Sequence, residues 1–158
     1  ITPKVCFVFF KVIWFRLLLH YMMEIFEGYS VLEEHAIGLR HAAKGALLTV
    51  DVFIPSLDLA VEYQGEQHYN DKVFPEGLPV TVRQSIDSEK AQLCADKGIC
   101  LVPVPYWWNG KIDSLIATLK YHKPELSIQV PKGAQPISNL PKKNLFSNAL
   151  MAPAEIAT

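Results

Sequence analysis

Cysteine is scarce in this chain: Cys6, Cys94 and Cys100 are its only three. An odd number without a paired spacing argues against a disulfide framework and against a structural zinc site. It fits a reducing, intracellular compartment, nuclear or cytoplasmic. Cys94 and Cys100 read as small buried hydrophobes. Net charge is also nearly absent, at −1. The broad basic field that gathers nucleic acid without specificity is therefore missing, and any such binding must use a local patch or a metal. Internal repeats are absent too. What is present is apolar: half of the 158 residues are hydrophobic and a fifth are charged. That excludes a disordered chain and suits one domain with a real core.

The longest apolar run is Val5 to Met23. A membrane span needs about 20 apolar residues with few charges. Lys11, Arg16 and His20 interrupt this run at roughly regular intervals, which suits a helix packed on the domain better than a span. No small-residue cleavage site follows, as a secretory signal would require. The first residue is Ile1 rather than Met, consistent with a fragment of a longer chain. The organisation expected is a hydrophobic N-terminal helix or extension (1–23), one folded domain (24–126) and a mobile, Pro-, Asn- and Ser-rich tail (127–158).

Within the domain, a helix from about residue 11 to Glu27 ends at Gly28. Tyr29 to His35 reads as a short strand and residues 36–45 as a loop. Leu47 to Ile54 and Asp58 to Gln64 read as two strands around Pro55-Ser56. Residues 65–80 form a long loop rich in Gly and Pro, a kind of segment that is often functional. Val82 to Lys97 is a helix closed by Gly98, and Ile99 to Val104 is an apolar run suited to a strand buried on both faces. Lys111 to Tyr121 is the last helix. Strand, crossover helix and buried strand make a right-handed βαβ unit beside an antiparallel hairpin. The fold class expected is α/β, with a mixed sheet of about four strands flanked by helices.

The hairpin carries the chemistry. With a two-residue loop at Ser56-Leu57, paired positions sum to a constant, so Phe53 faces Ala60 and Asp51 faces Glu62. Side chains alternate across a strand. One face then holds Val50, Val52, Ile54, Leu59, Val61 and Tyr63, all apolar, and must be core. The other holds Thr49, Asp51, Phe53, Ala60, Glu62 and Gln64. Opposed carboxylates repel, and a divalent cation between them reverses that sign. Hard oxygen ligands suit Mg²⁺. A solvated sheet face is the plainer alternative for Asp51 and Glu62. A bulge would shift the register and spoil the pairing.

The helix after the long loop points the same way. Arg83, Asp87, Lys90 and Cys94 lie on the side with Ile86 and Leu93, and Gln84, Ser85, Ser88, Glu89, Gln92 and Asp96 on the opposite, polar side. The first side must be buried, and charges at its edge need partners. An acidic pair or a phosphate would serve, as would an ion pair of Arg83 with Asp87 beside a snorkelling lysine.

The segment VDVFIPSLDLAVEYQGEQHY, Val50 to Tyr69, resembles the core of PD-(D/E)XK nuclease-like domains, close to the very-short-patch repair and homing-endonuclease branch. The resemblance spans roughly Tyr29 to Leu126 and implies a restriction-endonuclease-like three-layer core. The run EYQGEQHY, the Asp87-x-x-Lys90 spacing and ICLVPVPYWW are also similar to RNA-binding RAP domains, thought to share that fold. The resemblance implies that Asp51 and Glu62 bind Mg²⁺, or Mn²⁺, and that Gln64 stands where the family has its lysine. Gln64 can orient water but supplies no charge. Lys90 can take the lysine's role from the helix, and His68 that of a general base or acid. A further acid is expected from Glu24 or Glu34. Arg83 and Lys90 are candidate phosphate contacts. Trp107 and Trp108 are candidates for stacking on bases, against the plainer role of closing a core edge. The tail lysines Lys132, Lys142 and Lys143 are further candidates for touching phosphate. The function expected is a metal-dependent endonuclease acting on nucleic acid, DNA ahead of RNA, with a homodimer left open. The alternative is an inactive nuclease-fold module that binds RNA.

Overall fold

The computed structural model describes residues 3–42, 45–72 and 77–141. Its elements are α1 (Pro3–Ile25), β1 (Leu32–Arg40), β2 (Leu47–Ile54), β3 (Leu59–Gln64), α2 (Val80–Asp96), β4 (Cys100–Pro105) and α3 (Ile112–His122). The four strands form one mixed sheet in the order β1-β2-β3-β4. The first two pairings are antiparallel and β3 with β4 is parallel. The chain is an α/β domain of the expected class.

The hairpin register follows from its turn. Pro55–Leu57 form one 3₁₀ turn, and Asp58 closes it at φ 45° with its N–H on the Pro55 carbonyl at 3.1 Å. Asp tolerates this left-handed conformation better than most residues. The pairs that result are Ile54 with Leu59, Phe53 with Ala60 and Val52 with Val61. The ladder ends at Val52 with Val61, one position short of Asp51 and Glu62. Val50, Val52, Ile54, Leu59, Val61 and Tyr63 are all buried, at 5% exposure or less.

That apolar face receives α1 and α3. Leu18, Met22 and Phe26 of the N-terminal segment and Leu115 and Leu119 of α3 join Val52, Ile54, Leu59, Val61, Val102 and Val104 in one core. Spacings of three and four residues along α1 bring its apolar stripe inward, while Arg16 and His20 stay exposed. Trp14 stacks on Tyr63 at 6.5 Å between ring centroids and tilts against Trp108 at 5.8 Å. From Trp14 to Phe26 this segment is therefore a layer of the domain. Among the described residues, no helix is long and apolar enough to cross a membrane.

On the other face lies α2, which touches β4 and the turn after β3. It ends where its carbonyls are capped: Gly98 at φ 73° donates to Ala95 O at 2.9 Å, and Ile99 N–H reaches back to Cys94 O at 2.9 Å. This paired arrangement turns the chain into β4. Cys94 is fully buried under the helix.

Three expectations are corrected. The first strand begins at Leu32 rather than Tyr29 and runs on to Arg40, through the segment read as a loop. Gly38 marks a bulge, with positive φ and a shifted register between Ala36 and Arg40, because an isolated glycine can bend a strand without ending it. The tail is anchored rather than mobile as far as Ser138, whose carbonyl accepts the Trp107 indole N–H. Leu126 is buried, Ile128 and Ile137 pack against the core, and Ile137 N–H donates to Thr118 Oγ1 at 2.9 Å. Its proline content made it irregular, and its three apolar anchors hold it down. Lys132 is exposed there, while Lys142 and Lys143 lie outside the described residues. Trp108 is core, 2% exposed, with its indole N–H shared between Ser114 Oγ at 3.1 Å and Lys111 O at 3.2 Å. It cannot stack on a base.

Candidate functional site

The second face of the hairpin is where polar groups converge. Asp51 Oδ2 accepts the backbone N–H of Tyr63 at 2.7 Å, so a side chain takes a donor of β3 just beyond the last paired position, Val52 with Val61. On the same face, Glu62 meets Lys90, which descends from α2 with Nζ 2.5 Å from Glu62 Oε2. Both side chains are mostly buried, at 11% and 20% exposure for Lys90 and Glu62. Burial pushes the Glu62 carboxyl above its ordinary value, Lys90 opposes that rise, and the charges of Asp51 and Asp87 add to it. Asp51 and Asp87 thus act on the carboxylate that Lys90 holds.

The neighbouring turn supplies the rest. After β3 the chain passes through Gly65 in extended backbone, with the end of the Gln67 side chain packed against it. The short turn Glu66–His68 follows. It brings His68 Nδ1 to 2.7 Å from Asp87 Oδ2 on α2. A carboxylate only accepts, so Nδ1–H is the donor and Nε2 is the nitrogen able to exchange a proton. The Tyr69 hydroxyl donates to Gln64 Oε1. Burial, with Asp87 and Tyr106 adding to it, pushes the Tyr69 phenol up to about 12, so it remains a donor in neutral solution.

Glu62, Gln64, Asp87 and Lys90 line a small cavity of ≈ 70 Å³ whose floor is Leu101 and Pro103 of β4. Of the residues singled out in the sequence, Glu62, Gln64 and Lys90 meet there, with Asp51 across the hairpin and His68 joined through Asp87. Arg83 lies one turn before Asp87, with Nε donating to Leu78 O at 2.7 Å. Trp107 is half-buried beside Tyr69, with ring centroids 4.7 Å apart.

Neither suggested further acid completes a metal cluster. Glu24 sits on α1, which covers the opposite face, and is exposed beside His20 at 3.9 Å. Glu34 falls between the pairs Glu33 with Val52 and His35 with Val50, across from Asp51, at φ 44° and exposed. Among the described residues no group of three or more His, Cys, Asp or Glu side chains is arranged to hold a metal.

Sequence reasoning missed the pairing of His68 with Asp87. The two are 19 residues apart and no local pattern links them. The only signal was that a charge on the buried side of α2 needed a partner.

Two viral proteins are similar to part of the chain. Uncharacterized protein 033L of Invertebrate iridescent virus 3 is 37% identical over 70 residues, which are 43% of this chain and 36% of that protein. Uncharacterized protein 094L of Frog virus 3 (isolate Goorha) is 36% identical over 72 residues, 44% of this chain and 46% of that protein. The chain spans less than half the length of these curated relatives. No family model and no solved structure matches it.

Proposed function

We propose that this chain is a metal-dependent endonuclease that hydrolyses phosphodiester bonds in DNA. The observation that carries the reading is the buried Lys90–Glu62 pair facing Asp51 across the hairpin. A sheet built only for stability has no reason to bury these charges, because an apolar pair of the same volume serves as well or better. Asp51 and Glu62 would hold Mg²⁺ or Mn²⁺ by their oxygens. Two carboxylates fit Mg²⁺, which keeps several waters and takes further oxygens from its substrate. Bound there, the ion supplies Lewis acidity to the phosphodiester oxygens.

The chain's own residues divide the remaining tasks. Lys90 places positive charge beside the phosphate, the role Gln64 cannot fill. His68 Nε2 takes a proton from attacking water, with Asp87 holding the ring and stabilising the imidazolium that forms. Gln64, fixed by the Tyr69 hydroxyl, orients water through its amide nitrogen.

The test is nicking of supercoiled plasmid in Mn²⁺ by the purified chain beside Glu62→Ala. Nicking by the parent alone supports the reading, and no cleavage by either overturns it. Asp51→Asn should abolish Mg²⁺ and Mn²⁺ binding, and unchanged affinity removes Asp51 from the site. Lys90→Ala should lower cleavage more than DNA affinity, and an equal loss in both makes it a phosphate contact. The second reading is a module that binds nucleic acid, RNA included, without cutting it. Gln64 in place of a lysine and the net charge of −1 favour it, and retained binding without nicking would select it.

A further inference from the structure

Beside the charged cavity lies a second recess of ≈ 120 Å³ with a different chemistry. Tyr69 and Trp107 border it, Pro103 and Pro105 of β4 form its floor, and among the described residues no Asp, Glu, Lys or Arg lines it. We infer that this recess is a nucleobase pocket, holding one base of the strand whose phosphodiester lies at the Glu62–Lys90 cluster. The inference rests on the phosphodiester reading above and adds to it the part of the substrate that is recognised.

Continuity between the two recesses carries the inference. Pro103 lines both, and the Tyr69 hydroxyl that borders one donates to Gln64 in the other. A charged compartment, with Lys90 between the carboxylates of Glu62 and Asp87, thus adjoins one lined by Tyr69, Trp107, His122 and uncharged side chains across a single proline. A nucleotide has the same alternation, an anionic phosphate beside an uncharged planar ring.

The aromatic wall is held in place before any ligand arrives. Trp107 Nε1–H donates to Ser138 O at 2.7 Å, and the indole meets Tyr69 at 64° and Tyr106 at 81° between planes. With its N–H engaged, the indole offers only π surface, which suits stacking on any base. The segment read from sequence as a mobile tail lines the recess as well, through Ile137, Ser138 and Asn139, with Ser138 joined to the Trp107 indole. The exposed Asn139 amide supplies a donor and an acceptor for a base edge. Its volume lies well under about 300 Å³, where drug-sized ligands begin, and suits a single base.

The first measurement is a titration of the purified chain with a deoxynucleoside monophosphate, followed by ¹⁵N NMR at the Trp107 indole N–H. That signal is assigned by its loss in Trp107→Phe. A saturable shift with the nucleotide and none with inorganic phosphate is expected. The second is binding of a single-stranded oligonucleotide in which one abasic position is walked along the strand. One position should weaken binding roughly tenfold, as loss of a stacked base does. Trp107→Ala should remove that dependence and Trp107→Phe should keep part of it. No saturable change at Trp107, an equal shift with phosphate alone, or no abasic position that matters would overturn the pocket. Base-dependent binding without nicking would sink the endonuclease reading and keep the pocket. Nicking without base dependence would do the reverse.

Discussion

The two faces of the β2–β3 hairpin are made from alternate residues of the same two strands, yet they obey different rules. Toward α1 and α3 the strands present Val52, Ile54, Leu59, Val61 and Tyr63, all within one continuous core. Toward α2 they present Asp51, Glu62 and Gln64, and the helix answers with Lys90 and Asp87. The first face is held by removal of apolar surface from water, which is insensitive to direction. The second is held by a few charge-assisted contacts, each requiring its own partner. The second face is the one on which the proposed function rests.

The largest effect should come from the apolar face. Leu59→Ala removes a fully buried side chain and should cost about 3–5 kcal/mol of stability, read as a lowered urea midpoint. Any activity per folded molecule should survive. If activity is lost while the chain stays folded, the division between the faces fails.

The ion pair should come next, and in a characteristic way. Glu62→Leu leaves the Lys90 ammonium buried without its partner and should destabilise by about 3 kcal/mol. Adding Lys90→Met should restore stability to the parent level or above it. A double variant as unstable as the single one would make the pair structural and weaken the functional reading of this face.

A smaller effect should appear with pH. The folded chain keeps the Glu62 proton above 4.5, where an ordinary glutamate has released it. Its contribution to stability is therefore full below 4.5 and is lost as pH rises through the raised value. A cation binds the deprotonated carboxylate, so Mg²⁺ should raise the unfolding midpoint increasingly over the same rise. Urea midpoints with and without Mg²⁺ check this, and Glu62→Gln should flatten both trends.

The smallest is at the end of α2, the helix that carries Lys90. Gly98→Ala meets no neighbouring atom, so only its positive φ opposes the substitution. A loss of about 1 kcal/mol is expected, with little change in metal affinity. A large change there would show that the placement of Lys90 depends on how α2 ends.

Much of this was legible in the chain itself. The alternation of Val50 to Ile54 and Leu59 to Tyr63 specified which face is core, because a period of two leaves no other arrangement. It also put Asp51 and Glu62 on the same, second face once the turn was short. The spacing of Arg83, Asp87, Lys90 and Cys94 specified the inward side of α2. Gly98 announced the end of that helix. Composition misled at Gly38, where a bulge looked like a loop, and after Pro124, where an irregular but anchored segment looked like a mobile tail.

Tertiary structure alone decided which groups touch. Lys90 is 28 residues from Glu62 in the sequence and His68 is 19 from Asp87. Patterning says that such residues face inward but not what they find there. That depends on how β4 draws α2 across the sheet, a packing outcome set by shape and burial summed over the whole domain. The same holds for Trp107 and Trp108. As neighbours in the chain they are indistinguishable, and only the fold sends one into the core with its N–H on Ser114 and leaves the other beside the site. Periodicity is a property of one segment and can be read from it. Contact between segments is a property of their packing and cannot.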